Sequence, residues 1–329
     1  MKKQFLARLG AALLCAVVLC SSLSLVACNR ASDKKTLKLG LGVDVAVKAT
    51  DATADKNGQG QATVTVAAVL VDEAGKIVEA FIDCADSTVE YTSGGKAVVK
   101  ESFATKYEQG DAYGMVAYGG AKQEWYKQAD AFCSLIVGKT AAEVKALVGA
   151  EQKGTQDVID AGCTIVVADF ARAVEKAVAN ATASEATEKD TVRLGVSTAQ
   201  TAKDATEDTA GQNKIETVLF AAAVDAEGKV TAAATDSVEV AFTFDAAGKS
   251  TFDATKPVAT KREQGDAYGM VAYGGAKQEW YKQADVFSAS CVGKIPSEIT
   301  VLAGSSDLQT AGCTIAVDGF VKAAAKIGK

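Results

Sequence analysis

The chain contains no histidine. That absence removes Ser-His-Asp and Cys-His catalysis, imidazole acid–base chemistry, and His-ligated zinc or haem together. Carboxylate catalysis and a bound organic cofactor stay open. No two of the eight cysteines have CxxC spacing, so a structural zinc or a thioredoxin-type site has no support. A basic excess is missing as well. The net charge is −6, and the first 27 residues carry Lys2, Lys3 and Arg8 with no acid, so without them it is −9. Nucleic-acid binding calls for a basic face, and this balance argues against it.

What is present is ordinary globular material: 329 residues, 48% hydrophobic and 23% charged, enough for more than one core. Lys2, Lys3 and Arg8 precede the apolar run Leu9 to Leu25, the build of a secretory signal. Serines at 21, 22 and 24 make a membrane-spanning anchor the poorer reading. The run ends in Leu25-Val26-Ala27-Cys28, the pattern of a bacterial lipobox. The expectation is a signal over 1–27, lipid on Cys28, a polar tether over 28–35, and a mature protein held to a membrane face outside the cytoplasm.

The rest is a tandem duplication. EQGDAYGMVAYGGAKQEWYKQAD occurs unchanged at Glu108 to Asp130 and at Glu263 to Asp285, and AGCTI follows at Ala161 to Ile165 and Ala311 to Ile315. Elsewhere the copies have drifted, which points to function where they have not. Recent gene conversion would also leave such identity. The boundaries read as repeat 1 over 36–181, a polar linker over 182–189 and repeat 2 over 190–329.

Each repeat opens as an antiparallel meander. Leu37, Leu39, Leu41 and Val43 alternate in a half-buried strand over 36–47, and 51–60 is a polar hairpin loop. Strands over 62–71 and 76–83 flank the turn Asp72 to Gly75, restated as 218–224 and 229–235 around Asp225 to Gly228. Further hairpins turn at 93–95 and 245–248. One sheet face must be covered, and the helices that follow are the obvious cover. The fold class expected is therefore α+β, two homologous modules of β meander and helices.

Gly110 to Gly120 reads as a loop. Residues 121–137 read as a helix, with Trp125, Ala129, Phe132 and Ile136 on one stripe and Gly138 at its end. That spacing makes Trp125 and Trp280 core residues first, while Lys122, Glu124 and Lys127 suggest a solvated face. Thr140 with Glu143 forms a capping box, and Pro296-Ser297-Glu298 takes its place in the second copy. AGCTI reads as opening a short strand. Closing helices are expected over 169–179 and 319–327.

Five cysteines remain beyond Cys28. One disulfide per repeat, Cys133 to Cys163 and Cys291 to Cys313, stands beside the alternative of small buried hydrophobes. Thr164 and Thr314 follow a glycine-containing turn ahead of a helix, where free amides favour a phosphate. The competing reading is a β-branched residue opening a strand.

The order of meander, E-x-G-D-x-YGM, K-x-EWY-x-QAD, VGKT and D-x-x-x-A-G-C-T-I resembles the FMN-binding domain family over nearly all of both repeats. It is most similar to two-domain lipoproteins of Gram-positive flavin-based extracellular electron transfer. The resemblance implies FMN joined through its phosphate to a threonine by a flavin transferase that consumes FAD. It assigns attachment to Thr164, with Asp157, Gly162 and Cys163 in the motif, and to Thr314, with Asp307, Gly312 and Cys313. Tyr113, Met115, Tyr118 and Gly119 would surround the ring in one copy, and Tyr268, Met270, Tyr273 and Gly274 in the other. It implies a membrane-anchored electron carrier fed by a quinone-linked donor. A flavin-dependent extracellular reductase and a cofactor-free binding or adhesion lipoprotein are the alternatives.

Overall fold

The computed structural model describes residues 36–328. The expectations for the signal, the tether and Cys28 lie outside the described residues. Three long strands open each repeat: β1 (Lys38–Thr50), β2 (Gly58–Val71) and β3 (Ile77–Tyr91) in the first. Their order is β4-β3-β2-β1-β5, with the short edge strands β4 (Ala97–Val98) and β5 (Thr182–Ala183). In the second repeat β6 (Thr191–Lys203), β7 (Gly211–Val224) and β8 (Val230–Phe244) pair in sequence order. All pairings are antiparallel, so the α+β meander architecture is as expected. The turn at Asp72 closes because Gly75 takes φ 75° and Asp72 Oδ1 accepts the Lys76 amide.

The helices are α1 (Lys106–Gln109), α2 (Trp125–Ile136), α3 (Ala141–Lys145), α4 (Gln156–Asp160) and α5 (Ala168–Ala179) in the first repeat. In the second they are α6 (Lys261–Gln264), α7 (Trp280–Cys291), α8 (Pro296–Ile299), α9 (Ser306–Ala311) and α10 (Asp318–Ala324). Two expectations need correction. The helix expected from 121 begins at Trp125, because Glu124 is extended and its carboxylate is committed to the preceding loop. AGCTI opens no strand: it runs as irregular chain from the end of α4 or α9 toward α5 or α10.

The strands are buried on both faces. In β2, Ala67, Val69 and Val71 face the helices, while Ala62, Val64, Val66, Ala68 and Leu70 join a core shared with β6, β7 and β8. In β7 the alternation is the same: Val218, Phe220 and Ala222 turn to the helices, and Leu219, Ala221 and Ala223 to the other sheet. In β1 the alternating face of Leu37, Leu39, Leu41 and Val43 meets the other repeat, and α5 covers the second face, closing on Gly40 and Gly42.

The contacts between repeats are reciprocal. Lys176 pairs with Glu263 at 2.7 Å, and the corresponding Lys326 with Glu108 at 2.6 Å. The Ala52 amide donates to Gly248 O and the Ala205 amide to Gly95 O, each at 2.8 Å. Tyr91 stacks on Phe244, ring centroids 4.3 Å apart and planes 5° from parallel. Those two residues end corresponding strands, so they mark a pseudo-two-fold axis. Segment 182–189 adds β5 to the first sheet and buries Ala186, whose carbonyl accepts the Leu37 amide at 2.8 Å.

The disulfide alternative is overturned. Cys133, Cys163, Cys291 and Cys313 are free thiols, and so is Cys84. Each fills an apolar position between helices and sheet. Burial pushes the Cys163 thiol up to about 11 and the Cys84 and Cys291 thiols up to about 12, which keeps them inert.

Candidate functional site

Both AGCTI threonines are exposed and held by the identical block. Gln128 Oε1 accepts from the Thr164 amide at 2.8 Å and from its hydroxyl at 3.1 Å. Gln283 does the same for Thr314, at 2.8 and 3.0 Å. Each glutamine is 1% exposed, and its amide nitrogen donates one hydrogen bond to Gln123 O or Gln278 O at 2.9 Å. With its hydrogen turned inward, each threonine hydroxyl leaves lone pairs toward solvent.

Glu124 and Glu279 order the glycine loop. Glu124 accepts the Met115 and Val116 amides at 2.9 and 3.1 Å, and Glu279 accepts those of Met270 and Val271 at 3.0 and 3.1 Å. At 4% exposure Glu124 does not lie on the solvated face expected for it, whereas Lys122 and Lys127 do. Two free loop amides are a stronger claim on a carboxylate beside a helix start than solvent is. Gly162 and Gly312 adopt φ 103° and 105°, where a Cβ would press on Gln123 or Gln278. Asp157 and Asp307 are exposed in the first turns of α4 and α9, and Cys163 and Cys313 point into the core.

The aromatic residues divide. Tyr113, Met115, Tyr268 and Met270 are half-buried against the helix-side cores, whereas Tyr118 and Tyr273 stand 91% exposed, with Gly119 and Gly274 beside them. Trp125 and Trp280 are core residues as expected, each against a phenylalanine of the closing helix.

A cavity of about 580 Å³ opens in the second repeat, with Tyr268, Met270, Trp280, Ile315 and Phe320 on its walls. Thr314 lies on the rim of a neighbouring hollow of about 330 Å³, and Ile315, Ala316 and Asp318 separate the two. Both volumes fall in the range of small-molecule sites, about 300–1,000 Å³. A buried cation faces the larger one. Lys261, 6% exposed, lies 5.5 and 5.6 Å from the Tyr268 and Trp280 ring centroids and pairs with Glu216 at 2.6 Å. Burial works against its charge, but Glu216, Tyr268 and Glu239 outweigh that and hold its pKa above the ordinary lysine value. Lys106 repeats the arrangement over Tyr113 and Trp125, with Asp86 as partner.

Gln128, Glu124 and Lys106, with their counterparts, are what the sequence reading missed. A signal for Gln128 existed: it interrupts the apolar stripe, three residues after Trp125 and four before Phe132. A polar side chain on a buried stripe needs a partner inside the fold. Lys106 stands just ahead of the identical block and had no such mark. Among the described residues there is no cluster of side chains suited to a metal and no helix long and apolar enough to cross a membrane.

No protein-family model matches the chain, and no solved structure does. A 121-residue stretch is 33% identical to a Desulfitobacterium hafniense protein named chlorophenol reductase, covering 33% of this chain and 37% of that protein. The chain thus spans little more than a third of its curated relative's length, and the likeness is to a protein with a redox name.

Proposed function

We propose that the chain is a two-site flavoprotein that carries FMN as a phosphoester on Thr164 and on Thr314, and that it relays electrons outside the cytoplasm. The observation that carries this reading is the pair of exposed threonine hydroxyls, each fixed by a buried glutamine of the identical block. In the second repeat the next residue, Ile315, forms the wall of a cavity lined by aromatic side chains. That surface fits a flat ring, and Lys261 offers it a positive charge. When bound, FMN supplies one- and two-electron transfer, which needs no imidazole. The protein's own residues hold the attachment oxygen, order the glycine loop and line the ring's surroundings.

A covalent link suits a protein anchored outside the cell through Cys28. Micromolar affinity amounts to only about 8 kcal/mol, and a cofactor held that way is lost on dilution. A phosphoester keeps the effective concentration high. Installation by a flavin transferase using FAD and reduction by a quinone-linked membrane donor complete the reading.

Intact mass and visible absorbance of the mature protein, purified from cells containing a flavin transferase, test it. Two FMN increments are expected, one lost in Thr164→Val and the other in Thr314→Val. A colourless, unmodified chain would move the function to a cofactor-free binding lipoprotein. The relative's name and the cavity favour a second reading, a flavin-dependent reductase with its own substrate. Steady turnover of a defined small acceptor would establish that one.

A further inference from the structure

The two repeats present the same block residues to their threonines, yet the wall behind differs. In the second repeat Ser197 of β6 and Gly319 and Lys322 of α10 border the 580 Å³ cavity. Gly319 sits so close to β7 that a Cβ there would come within 2.8 Å of Val218 Cγ2.

Strand register identifies the counterparts in the first repeat. Asp44 stands in β1 where Ser197 stands in β6, and Thr65 in β2 where Val218 stands in β7. Five residues after its threonine, the first repeat has Asp169 in place of Gly319, and eight after it has Arg172 in place of Lys322. These replacements bind one another. Thr65 donates to Asp169 Oδ2 at 3.0 Å, and Arg172 holds both oxygens of Asp44 at 2.9 Å each. Asp169 Oδ1 is buried without a partner. Burial raises the pKa of Asp169 despite the Thr65 hydrogen bond. A carboxyl and a guanidinium–carboxylate pair therefore bridge helix and sheet at the positions whose counterparts in the second repeat, Ser197, Val218, Gly319 and Lys322, border the cavity, and an apolar ring gains nothing by displacing them.

We propose that the two flavin positions are inequivalent: the cavity behind Ile315 houses the ring carried on Thr314, while the Thr65–Asp169 and Asp44–Arg172 contacts keep the ring carried on Thr164 at the surface. This rests on the reading that both threonines carry FMN. Gly319 and Val218 have no polar side-chain atom with which to bridge the cavity wall, whereas Asp169 and Thr65 do and turn the ring away. One chain then holds a shielded flavin and an exposed one, the exposed one placed to meet a soluble acceptor.

The test uses the full mature chain loaded by a flavin transferase, with Thr164→Val and Thr314→Val giving the two single-flavin forms. Iodide quenching of flavin emission is measured in each, after intact mass has established attachment. The flavin on Thr164 is expected to be quenched several-fold more steeply than that on Thr314. The paired exchange Val218→Thr/Gly319→Asp should steepen quenching at Thr314, and Thr65→Val/Asp169→Gly should reduce it at Thr164. The unexchanged single-flavin forms decide the matter even where an exchange fails to fold. Equal slopes with both flavins attached overturn the inequivalence and leave the two-site carrier standing. No flavin on either threonine overturns both.

Discussion

Gln128 accepts two hydrogen bonds from one residue with a single amide oxygen, and its amide nitrogen donates to Gln123 O just ahead of its own helix. A buried side chain so fully engaged fixes the backbone of the AGCTI loop as well as its hydroxyl. Gln128→Leu keeps the volume and removes the acceptor. Because Thr164 is exposed, water can take over its amide, so the stability cost should be near that of one hydrogen bond, about 1 kcal/mol. Flavin loading at Thr164 should fall while loading at Thr314 is unchanged, and Gln283→Leu should do the converse. Peptide mass mapping of the two sites would read this out, and loading that drops equally at both would remove the glutamine from any local role.

Two short helices start on buried carboxylates in the middle of β3 and β8. Asp83 Oδ1 accepts the Tyr107 amide at the start of α1, and Asp236 Oδ1 accepts the Arg262 amide at the start of α6, each at 3.1 Å. Burial pushes both carboxyls up to about 6 from an ordinary 3.8, and hydrogen bonds from Thr105 or Thr260 and nearby amides offset it only in part. A raised carboxyl pKa means the folded state binds the proton more tightly than the unfolded one does. The stabilisation is complete below the unfolded value and is lost as pH rises through about 6. These two residues should therefore make the chain more resistant to urea as pH falls from about 7 to about 5. Asp83→Asn/Asp236→Asn should flatten that dependence, and an unaltered slope of urea midpoint against pH would refute it.

At the scale of the molecule the repeats share one apolar core between their sheets, and the ion pairs Lys176–Glu263 and Lys326–Glu108 flank it. Partly exposed pairs contribute about 0–1 kcal/mol each, so the shared core dominates the association. A single repeat cut loose, residues 36–189, would bare the face formed by Leu39, Leu41, Val64 and Val66. The pseudo-two-fold arrangement offers a remedy, because a second copy can occupy the place of repeat 2. Sedimentation should show this fragment as a dimer, and a well-folded monomer would mean that the shared core is dispensable.

Much of this was legible in the sequence. Alternation, turn glycines and the Trp125-to-Ile136 stripe are local periodicities, and they determined the meanders and the helices. The duplication and the glycine ahead of each threonine pointed to the site. Tertiary structure decided the rest, because it depends on which faces meet. The apolar run Ala67 to Val71 fits a strand covered on both sides, but only the fold supplies the second cover, the sheet of the other repeat. Gln128 reaches Thr164 across 36 positions. The cavity is walled by residues of β6, β7, α6, α7 and α10, which lie far apart in the sequence. Side-chain spacing along a chain fixes its own geometry, whereas packing between distant segments is set by the shapes and charges that the fold brings together.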